Sequence, residues 1–269
     1  MQKITKVVAI TPVYNEPLAM IQQFAEKIQG ISLALNKRGI GFAHYFLDDG
    51  AIHLPESFPT LVRHLKNQGL APTLMDGYRA VLQLKTPAEI IIRLDCQEHD
   101  PYKILEIVDN MGHSPVDAMF LPVYYWVSGE NRPLMKEVSR RIAEFNEGLA
   151  PISKTTVLAT YNQVFPLGFQ AFRQETLQIL IPKLERGMEL CEKITGKPAT
   201  WGLDLLVILI AANDGMITDS MFGGWSEPWK ENRGTDKVEA QRVKAETMVE
   251  VAHRLGYQIR ASATECSSD

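Results

Sequence analysis

The sequence predicts an α/β protein: a mainly parallel sheet covered by helices on both sides, with a C-terminal helical extension. Three observations carry this. The runs 6–13, 41–47 and 89–94 are apolar with little alternation, as strands buried on both faces are. The stretches between them include amphipathic segments with apolar residues at helical spacing. Each run ends abruptly in polar residues, at Tyr14-Asn15-Glu16, Asp48-Asp49-Gly50 and Asp95. Ligands of such sheets bind outside the carboxyl ends of the strands, so these polar ends are expected to converge on one crevice.

Taken in order, residues 6–13 predict the first strand and the stretch to about residue 36 a helix. The second strand, 41–47, is followed by helical material at 60–66 and 73–84, and then by the third strand at 89–94. The later half predicts a strand at 118–126 and a helix at 133–147, with an irregular stretch to residue 160. Further helices are expected at 176–195, 203–213 and 237–255. Residues 221–234, MFGGWSEPWKENRG, are rich in Gly and Trp without periodicity and are expected to form a mobile loop. Residues 1–220 are thus expected to be one α/β domain, with 221–269 the loop and helical extension. Trp225 and Trp229 in that loop suit either a lid over a ligand or anchors for the last helix.

Composition excludes several classes. The chain has 269 residues, 45% of them hydrophobic, enough for a sizeable core. A net charge of -4, from 32 acidic and 28 basic residues, gives no general attraction to nucleic acid or anionic lipid. The apolar run at 7–10 is too brief for a signal peptide, and the longest run, 205–212, falls far short of the roughly 20 residues that cross a bilayer. Cys96, Cys191 and Cys266 are odd in number and widely spaced, which suggests neither a disulfide framework nor structural zinc. A reducing, cytoplasmic setting is the expectation, with peripheral membrane contact left open.

The chemistry concentrates in the strand-terminal carboxylates. A charge at the edge of an apolar core is costly unless partnered, so Asp48, Asp49 and Asp95 together suggest a ligand site, although Asp49-Gly50 alone also reads as a turn. Asp100 before Pro101 fits a helix start, and His99 among these acids reads more readily as a hydrogen-bonding structural residue than as a ligand. Asp204, after Trp201 and Gly202, stands where a helix begins, where its charge also complements the helix dipole.

These segments, in order, resemble the GT-A glycosyltransferases, in particular the family 2 type that includes dolichyl-phosphate mannose synthases. The resemblance spans roughly residues 5–215 and rests on TPVYNE at 11–16, LDDGA at 47–51, NQGLA at 67–71 with Gly77 and Ala80 beyond it, IIRLDCQEHDP at 91–101, GFQAFRQETL at 168–177 and WGLDL at 201–205. It implies a GT-A, Rossmann-like sheet and transfer of a sugar from a UDP- or GDP-sugar donor to an acceptor, with inversion. It also implies that Pro12, Tyr14, Glu16, Asp48 and Asp49 hold the nucleotide; the charge of a departing diphosphate would be met by Asp95 with a metal or by Arg79. The family's Asp-x-Asp becomes Asp95-Cys96-Gln97, so Asp95 and Gln97 are the implied ligands of Mg2+ or Mn2+, the second of them a neutral amide. Gly168, Arg173 and Trp201 fall on the implied acceptor side, and Asp204 matches the family's catalytic base.

A protein that binds a nucleotide sugar with little or no turnover is the alternative, because Gln97 replaces a carboxylate. A nucleotidyltransferase is expected to carry a Gly-rich, basic phosphate loop after its first strand. Residues 11–17 contain no Gly, Lys or Arg.

Overall fold

A computed structural model describes residues 3–50, 54–96, 99–121, 123–124, 164–165, 168–221, 224–225, 243, 246–248 and 250–257. Among these lie strands β1 (Lys6–Val13), β2 (Gly41–Asp48), β3 (Thr60–Arg63), β4 (Ile90–Arg93), β5 (Ala118–Phe120), β6 (Val123–Tyr124), β7 (Val164–Phe165), β8 (Gln170–Arg173), β9 (Thr218–Ser220) and β10 (Gly224–Trp225). The helices are α1 (Leu18–Lys37), α2 (Leu70–Leu82), α3 (Lys103–His113), α4 (Gln174–Thr195) and α5 (Leu203–Asn213). No helix among the described residues is long and apolar enough to cross a membrane.

Seven strands form one sheet in the order β3-β2-β1-β4-β8-β5-β9. All neighbours pair in parallel except β8, which runs antiparallel to both β4 and β5. A second, small sheet joins β10, β6 and β7. The expected mainly parallel α/β architecture is present, and the switch in strand order falls between β1 and β4, where an open sheet leaves a crevice at its strand ends.

Residue parity in β1 explains why both faces of the sheet are covered. Val8 and Ile10 point into a core shared with α2, α4 and α5, while Val7, Ala9 and Val13 point into a second core under α1 and α3. Ile21, Phe24, Ile28, Ile31 and Leu35 make the buried stripe of α1. Helix α2 sits close against β2 because Gly77 carries no side chain: a Cβ there would collide with Leu47. Met248, Val251, Ala252 and Tyr257 pack into the first core, so the described part of the C-terminal extension shares the core of the main sheet.

Two expectations change, and two lie outside the described residues. Residues 60–66 were expected to be helical, but Thr60–Arg63 is an edge strand beside β2. Its TLVR sequence is short and half β-branched, and pairing with β2 satisfies backbone groups that a helix there would leave open. The single strand expected at 118–126 is divided into β5 and β6, which belong to different sheets. The expected helix at 133–147 and most of the loop at 221–234 lie outside the described residues.

Candidate functional site

A cleft of about 300 Å3 opens at the carboxyl ends of β1, β2 and β4. It is lined by the 12–16 loop with Asp49, Asn67, Gly69, Leu70, Thr73 and Asp95. Of the expected nucleotide-holding residues, Pro12, Tyr14, Glu16, Asp49 and Asp95 therefore stand on one cavity. Tyr14 is exposed, and the Glu16 carboxylate accepts a hydrogen bond from its backbone N–H at 2.7 Å, which sets the bend of the loop.

The two carboxylates after β2 have specific structural work. Asp48 is buried, accepts from the Gly50 N–H at 3.0 Å and pairs with Arg63 at 3.2 Å, and it is not among the lining residues. Asp49 accepts from the N–H groups of Gln68 at 2.8 Å and Gly69 at 2.9 Å, and meets His64 Nδ1 at 3.0 Å. These bonds fasten the β2 end to the turn that opens α2. Gly69 adopts φ of 93°, and a Cβ there would meet the backbone of Thr200, so only glycine fits without strain. The Ala71 N–H in turn donates to the Thr200 carbonyl at 2.9 Å, linking this turn to the segment before α5.

Beneath Asp95 lies a buried cation that the sequence reading did not single out. Alternation along β4 puts Arg93 on the face of Ile91, towards α2 and α5. Its side chain has no exposure; one guanidinium nitrogen, Nη2, donates to Asp95 Oδ1 at 2.9 Å and the other, Nη1, lies 3.3 Å from Asp204 Oδ1. Burial by itself would lower the Arg93 pKa, but Asp204, Asp95 and the nearby Tyr78 more than offset it, and the value stands above normal. Burial raises the Tyr78 pKa; the Arg93 charge pulls it down, and Asp204 and Asp95 push it up again. The signal available in the sequence was a charge inside IIRLD: a cation within an apolar strand requires buried partners.

His99 packs on Phe169 with ring centroids 5.2 Å apart, and its Nδ1 accepts from the Asp95 backbone N–H at 2.8 Å. An acceptor Nδ1 places the ring proton on Nε2. Burial first, and the Arg93 charge second, push the His99 pKa down to about 3, so the ring is neutral near pH 7. The histidine thus holds the Asp95 backbone.

The remaining expected residues scatter. Gly168 is buried, and the space a Cβ would take is filled by Asp95, Arg93 and His99 rather than left for a sugar. Arg173 pairs in register with Ile90 at the start of β4, whereas Gln170 pairs with Arg93 at its end, so Arg173 lies about 10 Å from the cleft end of the strand. Its guanidinium donates to the carbonyls of Met111, Ser114 and Val116, tying α3 to the sheet. Arg79 is bound by Asp76 and Glu185 on the outer side of α2 and is not among the lining residues, so the structure does not bring this cation to the cleft. Trp201 is partly buried just before α5 and does not line the cleft. Asp204, in the first turn of α5, reaches the cleft residues through Arg93, and Gln170 Nε2 donates to its carbonyl at 3.1 Å.

Of the two implied metal ligands only Asp95 is described; Gln97 lies outside the described residues. Among the described residues no group of three His, Cys, Asp or Glu side chains is arranged to hold a metal ion. The cation beside Asp95 is already Arg93.

No protein-family model matches the chain, and no curated protein matches it significantly in sequence. Among solved structures, mannosyl-3-phosphoglycerate synthase from Rubrobacter xylanophilus superposes with a TM-score of 0.51 at 14% identity, over 97% of this chain and 78% of that one. The 4-diphosphocytidyl-2C-methyl-D-erythritol synthase of Anaerococcus prevotii DSM 20548 covers 94% of this chain and 96% of its own, at 8% identity and a TM-score of 0.36 too low to bear on fold or function. The order of strands, the helices on both faces and the first of these likenesses give the chain a GT-A-like α/β fold.

Proposed function

We propose that the protein transfers a sugar from a nucleoside diphosphate donor to an acceptor hydroxyl or phosphate, with inversion at the anomeric carbon. The observation that carries this reading is the meeting of Tyr14, Glu16 and Asp95 on one strand-end cleft, with Asp204 joined to Asp95 through Arg93. The donor nucleotide lies along the 12–16 loop, with Tyr14 against the base and Asp95 hydrogen-bonded to the ribose. Asp204 takes the proton of the acceptor as the new glycosidic bond forms, and the nucleoside diphosphate leaves from the opposite face of the anomeric carbon. The helix N-terminus favours the ionised carboxylate that this task needs.

The test combines thermal-shift screening with UDP, GDP and their sugars, with and without Mn2+, and assays of transfer or donor hydrolysis. A nucleotide at a hundredfold its Kd is expected to stabilise the fold by about 2.7 kcal/mol. Asp95→Asn should weaken nucleotide binding, while Asp204→Asn should leave it nearly unchanged and lower transfer by about 10²–10⁴-fold. Binding of a nucleotide sugar without transfer or hydrolysis would favour a binding protein instead. Wild-type transfer by Asp204→Asn would remove the base from the mechanism.

A further inference from the structure

Arg93 is a buried charged group under the cleft to which the proposed chemistry gives no part. It is fully buried at the end of β4, and its two terminal nitrogens serve two different carboxylates, Asp95 at 2.9 Å and Asp204 at 3.3 Å. Stability does not account for it. A cation taken out of water is repaid only when every donor around it is satisfied, and an apolar residue of similar volume often stabilises a core more. Here Arg93 Nε and Nη1, Tyr78 Oη and Gln170 Oε1 are buried without a hydrogen bond of good geometry among the described residues, so Nη1 meets Asp204 as an ion pair.

What the arrangement does supply is a fixed relation between two elements. Asp95 follows β4 and lines the cleft, whereas Asp204 belongs to α5, and the planar guanidinium sets the separation of their carboxylates. Two neighbours confine the unit. Gln170, paired with Arg93 across the sheet, holds the Asp204 carbonyl, and Asp95 and Arg93 occupy the space that a Cβ at Gly168 would take, so the unit packs directly against that backbone.

We propose that Arg93 is a positioning residue that locks Asp95 and Asp204 into one unit, so that the carboxylate on the donor cleft and the acceptor-side base keep a single relative placement. The inference rests on the reading of Asp204 as that base. Arg93 touches no substrate in this role and acts through the two carboxylates.

Two measurements test it separately. In urea unfolding without nucleotide, a double-mutant cycle of Asp95→Asn and Asp204→Asn should show coupling of at least about threefold in the unfolding constant, because losing both carboxylates strands a buried cation. In the Arg93→Met background the coupling should vanish or change sign, since two carboxylates without the cation repel. If Arg93→Met does not fold, Arg93→Lys carries the comparison, because an ammonium lacks the fork that reaches both partners. Additive effects with Arg93 present would overturn the inference whatever the substrate proves to be.

In the transfer or donor-hydrolysis assay, Arg93→Lys should keep nucleotide affinity within about threefold while turnover falls on the order of 10–100-fold, a loss like that from misplacing a reacting group by an ångström. Gly168→Ala, which crowds the same unit without altering Arg93, should reproduce this split. Full turnover by Arg93→Lys alongside a coupled cycle would reduce Arg93 to a structural ion pair and overturn the positioning role. Absence of turnover of any nucleotide sugar by the wild type would instead sink the functional reading, and a coupled cycle in that protein would still support the Asp95–Arg93–Asp204 link.

Discussion

A carboxylate at a strand end can serve a ligand or its own neighbours, and Asp49 shows how far the second can go. Its oxygens accept from Gln68 and Gly69 and meet His64, so the side chain binds the β2 end to the start of α2 even though it borders the cleft. Asp49→Ala leaves those donors without their charged acceptor and should cost about 2–3 kcal/mol in urea unfolding. A loss well under 1 kcal/mol would mean that the bonds matter little and that a ligand role is the better account. His44 carries a different residue-scale expectation. It bonds Thr11 Oγ1 at 2.9 Å beside Phe24 and Phe46, and burial pushes its pKa down to about 3 from 6.5. The unfolded chain therefore takes up this proton below pH 6.5 while the native chain does not until near pH 3. The stability His44 contributes is whole above 6.5 and drains away as pH falls towards 3, at up to about 1.4 kcal/mol per pH unit. His44→Gln keeps a partner for Thr11 without titrating and should flatten the stability–pH curve between pH 6 and 4. An unchanged slope would show that His44 titrates normally.

At the scale of elements, fit between helix and sheet outweighs local preference. Gly77 lies inside α2, where alanine would be favoured by about 1 kcal/mol on helix propensity alone. Yet a Cβ at this position collides with the Leu47 side chain. Gly77→Ala should therefore destabilise the fold by about 1–3 kcal/mol, as overpacking does, instead of stabilising it. A raised melting temperature would show that Leu47 repacks freely and that α2 is not held so tightly on β2. The edge strand Thr60–Arg63 teaches the same lesson from the other direction: a four-residue segment, half of it polar, has no secondary structure of its own until β2 offers it a hydrogen-bonding edge.

For the whole molecule, the two cores on either side of the sheet are unequal in what they control. The core under α1 and α3 supports the back of the cleft loop, whereas the other joins α2, α4, α5 and the C-terminal residues Met248, Val251 and Ala252. Val251 reaches Gly187 of α4, and Met248 packs on Gly202 just before Asp204. The C-terminal extension thereby buttresses the helix that bears the candidate base. Val251→Ala removes two buried methyl groups and should cost about 2 kcal/mol, counting the transfer of the methyls and the cavity they leave. A loss under about 0.5 kcal/mol would show that this extension rests loosely on α4 and α5.

The residues themselves determined β1, α1, β2, α2 and β4 in order, though not the edge strand β3, because a strand buried on both faces must be apolar throughout and a helix on a sheet must carry a stripe. Strand 6–13 and helix 203–213 have the bounds read from the sequence. The convergence of the 12–16 loop with Asp49 and Asp95 was legible for the same reason, since parallel strands present their carboxyl ends on one side. The partners of each charge were not legible. Arg79 and Arg173 looked available as cations until Glu185, 106 residues from Arg79, and the carbonyls of Met111, Ser114 and Val116, some 60 residues from Arg173, were seen to hold them. Arg93 looked like one more residue of an apolar motif until Asp95 and Asp204 closed on it from two elements. Apolar burial is decided by patterns within a few residues of chain and so can be read there. The pairing of buried charges depends on which distant segments the fold brings within about 4 Å, where the attraction becomes strong enough to offset desolvation.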